Sequence, residues 1–256
     1  MELNKETIDT IRKDLKEYIP QLSINCVIFR FYKKLLQVPV VQPLKTDIWV
    51  LPGGFIRQME GINDAAKRIL FEQTQIDSLI LSQFGTFGSS DRNFALEYKS
   101  LKNWGFPQDL LDWVSQRFVT IGYYSIVGAK HMELKGGPLF KNVKWIDVEE
   151  TEILAIDHAR IVSEALKVLG TQLLSRPLLL SFMAETFTIP ELQKLYEAIL
   201  GRVVDRGNFR QRILKSEILI KIGTSKEKTK NRPPNIYRLN KDKYLNSLTQ
   251  DVKLGF

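Results

Sequence analysis

Ile8, Ile11, Leu15 and Tyr18 fall three or four residues apart in a polar stretch, which predicts a helix over residues 5–18 with one buried face. The period then changes. Ile24–Phe31 and Leu35–Val41 are apolar runs of strand length, and Tyr32-Lys33-Lys34 between them reads as a hairpin turn. Ile48–Phe55 is a further strand pattern, broken at Pro52-Gly53-Gly54, where the glycines are expected to serve a turn. Ala65, Ala66, Ile69 and Leu70 give the stripe of a helix over 61–75. Strands are expected at Leu79–Phe84, Phe118–Val127 and Val143–Ile146, then a helix over 157–173 with Ile161, Ala165, Val168 and Leu169 inward. Strands interspersed with a few helices imply an α/β or α+β sandwich over residues 1–175. Residues 92–116 fit neither period and read as an insertion that ends in a short helix opening at Pro107.

After Ser175 the pattern belongs to a second domain, residues 176–256. Leu178–Met183 is apolar, and Thr188-Ile189-Pro190-Glu191 is a helix start in which threonine caps and glutamate reaches back. Leu192, Leu195 and Ile199 form its buried stripe. A break at Gly201 precedes a second start at Asp205, with Phe209 and Ile213 one turn apart. Strand-like runs at Glu217–Ile222 and Asn235–Leu239 flank the basic segment Gly223–Pro234. Helix, turn, helix and basic hairpin make a winged helix-turn-helix.

Charge sharpens this division. Of the 37 basic and 29 acidic residues in the 256-residue chain, residues 1–175 hold 21 of each, and residues 176–256 hold 16 basic against 8 acidic. The net charge of +8 therefore sits on the second domain, within Arg202–Arg238, which is the footprint of a polyanion-binding module. The apolar content of 44% excludes a disordered chain. A single cysteine, Cys26, excludes an internal disulfide, fits a reducing compartment and is expected to be core. With His131 and His158 it does not make a four-ligand zinc site, and no metal is expected. No apolar stretch is long enough to span a bilayer, so a cytoplasmic protein is expected.

Gly54, Glu60, Arg68 and Glu72 stand at the spacing of the Nudix signature, and Leu51-Pro52-Gly53-Gly54-Phe55 resembles its lead-in. The resemblance implies a Nudix α/β/α sandwich over roughly residues 20–172. The chain departs from the signature at Ile69 and Gln73, where glutamates are expected, and at Gln75, where glycine is expected. Nudix hydrolases hold magnesium on this carboxylate cluster to neutralise a diphosphate and activate water. With residues 69, 72 and 73 on one helical face and only Glu72 acidic, the domain is expected not to be an enzyme and to use no cofactor. Glu60, Arg68 and Glu72 are then read as salt links between loop and helix. The alternative is an active magnesium-dependent pyrophosphatase of ADP-ribose or a nucleotide sugar, using carboxylates such as Glu97, Glu133 and Glu149.

Phe187–Arg202, Asp205–Leu214 and the Arg232-Pro233-Pro234 to Tyr237-Arg238 segment resemble the winged-helix domain of Nudix-related transcriptional regulators of the NrtR type, with Asn231 in place of a glycine. Asp157-His158-Ala159 is also similar to that family. The resemblance implies a homodimer that binds a palindromic operator in double-stranded DNA, with a small metabolite in the Nudix domain altering that binding. At 100° per residue from Phe209 and Ile213, the residues Gly207, Asn208, Gln211 and Lys215 face outward, where Asn and Gln can pair with adenine. Arg202, Arg206 and Arg210 suit phosphates or base edges. Lys226, Lys228, Lys230 and Arg232 form the wing and add salt-dependent affinity. A binding partner of RNA or anionic protein is the remaining option for the basic domain.

The effector pocket is expected between the Gly53-Gly54 turn, the box helix and facing strands, with Arg30, Trp49, Arg57 and Tyr124 in its wall. His158 is read as a helix-start residue satisfied by its neighbours. Members of this family sense ADP-ribose or nucleotides, or sugars. Loss of the metal carboxylates tilts the expectation towards a sugar such as arabinose, with the 92–116 insertion available to cover the cleft.

Overall fold

In the computed structural model, which describes residues 5–44, 46–90, 92, 99, 101–103, 105–128, 133–173, 178–225 and 233–249, strand β1 (Tyr18–Tyr32) is the spine of the larger sheet. Every residue from 23 to 31 is buried. A strand with one wet face would alternate, so β1 is covered on both sides. It pairs antiparallel with β2 (Leu35–Pro43) through a tight turn in which Lys33 and Lys34 take φ of 50° and 67°. Two successive positive φ values define the mirror-image turn whose twist matches a hairpin.

The sheet runs β4 (Ser82–Phe87), β5 (Val119–Val127), β1, β2, β6 (Phe140–Asp147), and β3 (Gly53–Arg57) also pairs with β1. Helix α1 (Lys5–Lys16) is linked by the Arg12 guanidinium to Asp109 of α3 (Gln108–Val114), at 2.7 and 3.0 Å. Helix α2 (Ile62–Thr74) turns Ala65, Ala66, Ile69 and Leu70 inward. Cys26 lies beneath it, its thiol pushed up to about 12 by burial, which makes it inert core. A short 3-10 helix (Val148–Ile153) leads to α4 (His158–Gln172), which buries Ile161, Val162, Ala165 and Leu169.

The chain forms two compact units: residues 1–29, 38–125 and 133–165, and residues 30–37, 126–132 and 166–256. The second contains α5 (Leu178–Phe182), β7 (Phe187–Thr188), α6 (Ile189–Leu200), α7 (Arg206–Lys215), β8 (Leu219–Thr224), β9 (Asn235–Leu239) and α8 (Lys241–Thr249). Its sheet has the order β7-β9-β8. The capping box at α6 forms as its residues require: the Glu191 amide donates to Thr188 Oγ1 at 3.4 Å, and the Thr188 amide donates to Glu191 Oε2 at 2.7 Å. Leu192, Leu195, Tyr196, Phe209 and Ile213 fill the core, with the Tyr196 and Phe209 rings edge to face at 5.3 Å. Helix, helix and β8–β9 hairpin are a winged helix. Among the described residues, no helix is long and apolar enough to cross a membrane.

Several local expectations are corrected. Tyr18 belongs to β1, the fourth strand begins at Ser82 where Leu79 was expected, β8 begins at Leu219 where Glu217 was expected, and Val168 is only partly buried. Gly53 and Gly54 are in strand β3, and neither has a positive φ. Glycine is needed at 53 for closeness, since a Cβ there would collide with Asn25 and the Ile24 carbonyl, whereas one on Gly54 would lie a tight 3.3 Å from Ile69. Positive φ occurs instead at Gln75, the residue that ends α2 (φ 59°, ψ 20°). That left-handed position suits the glycine of the Nudix signature, and a glutamine there carries a Cβ penalty. Gln75→Gly is therefore expected to raise the stability of the chain by about 1 kcal/mol, read as a higher urea midpoint at unchanged slope.

Candidate functional site

Arg68 organises the box helix. Its guanidinium meets both oxygens of Glu60 at 2.7 and 2.8 Å, donates to the Phe55 carbonyl at 2.9 Å and reaches Glu72 Oε2 at 3.1 Å. Hydrogen bonds from Arg68 hold the Glu60 carboxyl below the usual carboxylate range. These three residues tie the loop and β3 to the helix. Ile69 and Gln73 point inward, whereas Glu72 is half exposed, so the three former metal positions do not converge. The Gln73 carboxamide is bound to Gly53 at both ends. Its Oε1 accepts from the Gly53 amide at 3.0 Å and its Nε2 donates to the Gly53 carbonyl at 2.6 Å. A carboxylate could not make the second bond. One ion-paired glutamate, an isoleucine and a fully engaged amide do not fit a magnesium cluster. Among the described residues, no three His, Cys, Asp or Glu side chains group as a metal site.

On β1 and β3 a cavity of about 250 Å³ opens within the first unit. Ser23, Ile24 and Asn25 of β1 line it, with Gly53, Gly54 and Phe55 of β3, and with Phe118, Ile156 and His158. The insertion contributes Arg92, Leu101 and Val114. Arg92 is almost wholly buried. It pairs with Asp157 at 2.9 Å and donates to the Phe87 and Phe118 carbonyls and to Thr120 Oγ1, which pins this part of the insertion to the sheet. His158 Nδ1 accepts from the Leu51 amide at 3.0 Å, so the neutral ring carries its proton on Nε2. Burial, aided by the charge of Arg92, pushes its pKa down to about 3.

None of the four expected wall residues lines this cavity. Arg30 donates to Gln37 Oε1 at 2.8 Å and lies over the Tyr32 ring, five residues or roughly 17 Å along β1 from Asn25. Trp49 points the other way from its neighbour Val50 and carries the Lys144 ammonium 4.3 Å from its ring centre. Arg57 is exposed, and Tyr124 packs edge-on against Phe84. Sequence reasoning missed Asn25 and Arg92. The signal for Asn25 was a lone amide inside the apolar run 24–31.

In the second unit, Asp205 Oδ1 accepts from the Asn208 amide at 2.8 Å and starts α7, whose inner face is Phe209 and Ile213. Arg206, Gly207, Asn208, Arg210, Gln211, Arg212 and Lys215 are all exposed, as is Arg202 before the helix. Among the described residues, Arg206, Arg210, Arg212 and Lys215 have no acidic partner. Arg206 and Arg210 line a cleft with Pro190, Pro233, Pro234 and Tyr237, a basic notch at the foot of the wing. Lys226, Lys228, Lys230 and Arg232 lie outside the described residues.

Residues 179–239 match the family model of the NrtR DNA-binding winged helix domain. The chain is 28% identical over 227 residues to an ADPR responsive transcriptional repressor of Acinetobacter baylyi, covering 86% of this chain and 82% of that one. The crystal structure of Shewanella oneidensis NrtR complexed with a 27mer DNA superposes with a TM-score of 0.56 at 25% identity, over 88% of this chain and 95% of that one. Residues 179–239 are thus an NrtR-type winged-helix domain, and the chain as a whole resembles transcriptional regulators of that type. A MutT/nudix family protein from Enterococcus faecalis shares the fold, with a TM-score of 0.58 at 20% identity over 90% of this chain and 92% of that one.

The Nudix-like domain keeps the fold and the Arg68 framework, and among the described residues no carboxylate cluster accompanies them. His158 couples its integrity to pH. The unfolded imidazole titrates near 6.5 and the folded one near 3, so the unfolded state binds the extra proton between these values and stability falls as pH falls below about 6.5. Between pH 7 and pH 5 this one residue is expected to cost about 2 kcal/mol. Urea unfolding of the wild type and His158→Gln at both pH values checks it, the variant losing correspondingly less.

Proposed function

We propose that the chain is a homodimeric, cytoplasmic repressor that holds a palindromic operator through α7 and the wing and releases it when ADP-ribose or a related adenine nucleotide binds the Nudix domain. The observation that carries the DNA half is the outward face of α7, a row of exposed cations around Asn208 and Gln211, without an acidic partner among the described residues, in a winged helix. Asn208 and Gln211 are suited to base edges in the major groove, and Arg206 and Arg210 to a phosphate in the cleft beneath the wing. Arg202 and Lys215, with Lys228, Lys230 and Arg232 of the wing, add backbone contacts that respond to salt. Two such helices in a dimer would address half-sites about one DNA turn apart.

The effector half rests on the name of the Acinetobacter baylyi relative and on the cavity. A lone sugar such as arabinose carries hydroxyls on every side, and the apolar lining would leave many of them unpaired. A nucleotide can place a ring inside and keep its phosphates in water. With Gln73 closed on Gly53 and Ile69 packed under Gly54, the box offers no carboxylate cluster, so the effector is bound without being hydrolysed.

Selection of duplex DNA from a random pool by the purified full-length protein is expected to return a palindrome whose binding ADP-ribose weakens. Arg206→Ala and Arg210→Ala should each reduce affinity for it and lower the slope of log affinity against log salt by about one. A pool without an enriched sequence would count against the recognition-helix assignment. Release of phosphate-bearing product from ADP-ribose and magnesium would instead establish a hydrolase.

A further inference from the structure

Two buried side chains that line the cavity of the first unit carry polar groups without a partner among the described residues. Asn25 is 5% exposed, in the middle of the most buried strand of the chain. Its carboxamide makes no hydrogen bond among the described residues, yet its polar atoms are not sealed off from the cavity. His158 is 4% exposed. Its Nδ1 is taken by the Leu51 amide, and its Nε2–H has no partner among the described residues. An unmade hydrogen bond on a buried group costs about 1–3 kcal/mol. Two such groups on separate elements facing one cavity mark a place where a ligand completes them.

The rest of the lining states what that ligand is. Ile24, Val50, Leu51, Phe55, Leu101 and Phe118 present apolar surface. The one charged side chain among the described lining residues, Arg92, is neutralised by Asp157 at 2.9 Å. A diphosphate would find neither a free cation nor a cluster of donors here. A flat, uncharged ring with polar atoms only on its edge suits these walls. Adenine has that form: its edges set an amino donor beside a ring-nitrogen acceptor, the complement of a carboxamide, and leave further ring nitrogens for an N–H donor.

We propose that this cavity is a purine-nucleoside site in which the Asn25 carboxamide and the His158 Nε2–H recognise the adenine ring of the effector, the ribose and phosphates lying towards solvent. The assignment rests on the effector reading above and deepens it. Because His158 titrates near 3, its donor is neutral and in place throughout the physiological range.

Calorimetric titration of the full-length protein with adenosine, ribose 5-phosphate and ADP-ribose tests it. Adenosine and ADP-ribose are expected to bind and ribose 5-phosphate is not. Asn25→Leu, which keeps the branched shape but is somewhat larger, and whose folding is checked by Tm, should weaken adenosine binding about tenfold or more, the effect of losing one bidentate pair. Independently of that variant, the wild-type His158 Nε2–H resonance in a nitrogen-15 spectrum should shift when adenosine is added. Binding of ADP-ribose without adenosine, ribose 5-phosphate binding as tightly as adenosine, or an unchanged affinity in a folded Asn25→Leu would each overturn the purine site while leaving the effector reading intact. Adenosine binding without ADP-ribose would support the site and remove ADP-ribose as the effector.

Discussion

The two hydrogen bonds between the Gln73 carboxamide and the backbone of Gly53 hold the Nudix domain in its present form. They satisfy a donor and an acceptor at the start of β3 where the ladder alone would not, and they do so from the inner face of α2. Gly53 lies against Asn25 closer than a side chain would permit, and Gly54 packs tightly on Ile69. In a metal-dependent box this position carries a carboxylate, which must stay free for the ion. With both ends of its amide engaged by Gly53, Gln73 has no oxygen left over for an ion, and a carboxylate in its place could not donate to the Gly53 carbonyl. Arg68 completes the scaffold on the outer side, where Glu60 and Glu72 neutralise it.

Legibility in the sequence followed the physics of each feature. The winged helix was readable almost to the residue because its determinants are local: Thr188 and Glu191 cap, Asp205 caps, and Phe209 and Ile213 repeat after one turn. The degenerate box was readable because Ile69 and Gln73 are chemical statements in themselves. The cavity was not, because its wall is assembled from β1, β3, Phe118, the 3-10 exit and the insertion, and no sequence period links those segments. Arg30, Trp49, Arg57 and Tyr124 were reasonable by residue type, yet strand alternation and distance along β1 send them elsewhere. Gly53 and Gly54 were read as a turn since Pro-Gly-Gly has that form. Their real constraint, close approach to β1, depends on a partner strand nearly thirty residues earlier.

His158 shows why structural and functional roles need not compete. Its Nδ1 is occupied by the Leu51 amide, as a helix-start residue satisfied by its neighbours would be, and the same bond fixes the tautomer that leaves Nε2–H for the cavity. Burial keeps the ring neutral, and so the donor is constant where pH varies. The same burial is expected to make the fold less stable in mild acid.

The two groups that face the cavity also lie on the two elements that continue from one compact unit into the other. Asn25 is on β1, which passes from the first unit to the second at residue 30, and His158 opens α4, which does so at residue 166. A ligand that pairs with both Asn25 and His158 would contact both of these elements at once. Its influence on DNA affinity is bounded by how differently it binds the two arrangements of these elements. A small ring held by two neutral groups can supply the few kcal/mol such couplings involve, provided that one arrangement leaves those groups unpaired. Among the described residues, the Asn25 carboxamide and the His158 Nε2–H meet that condition.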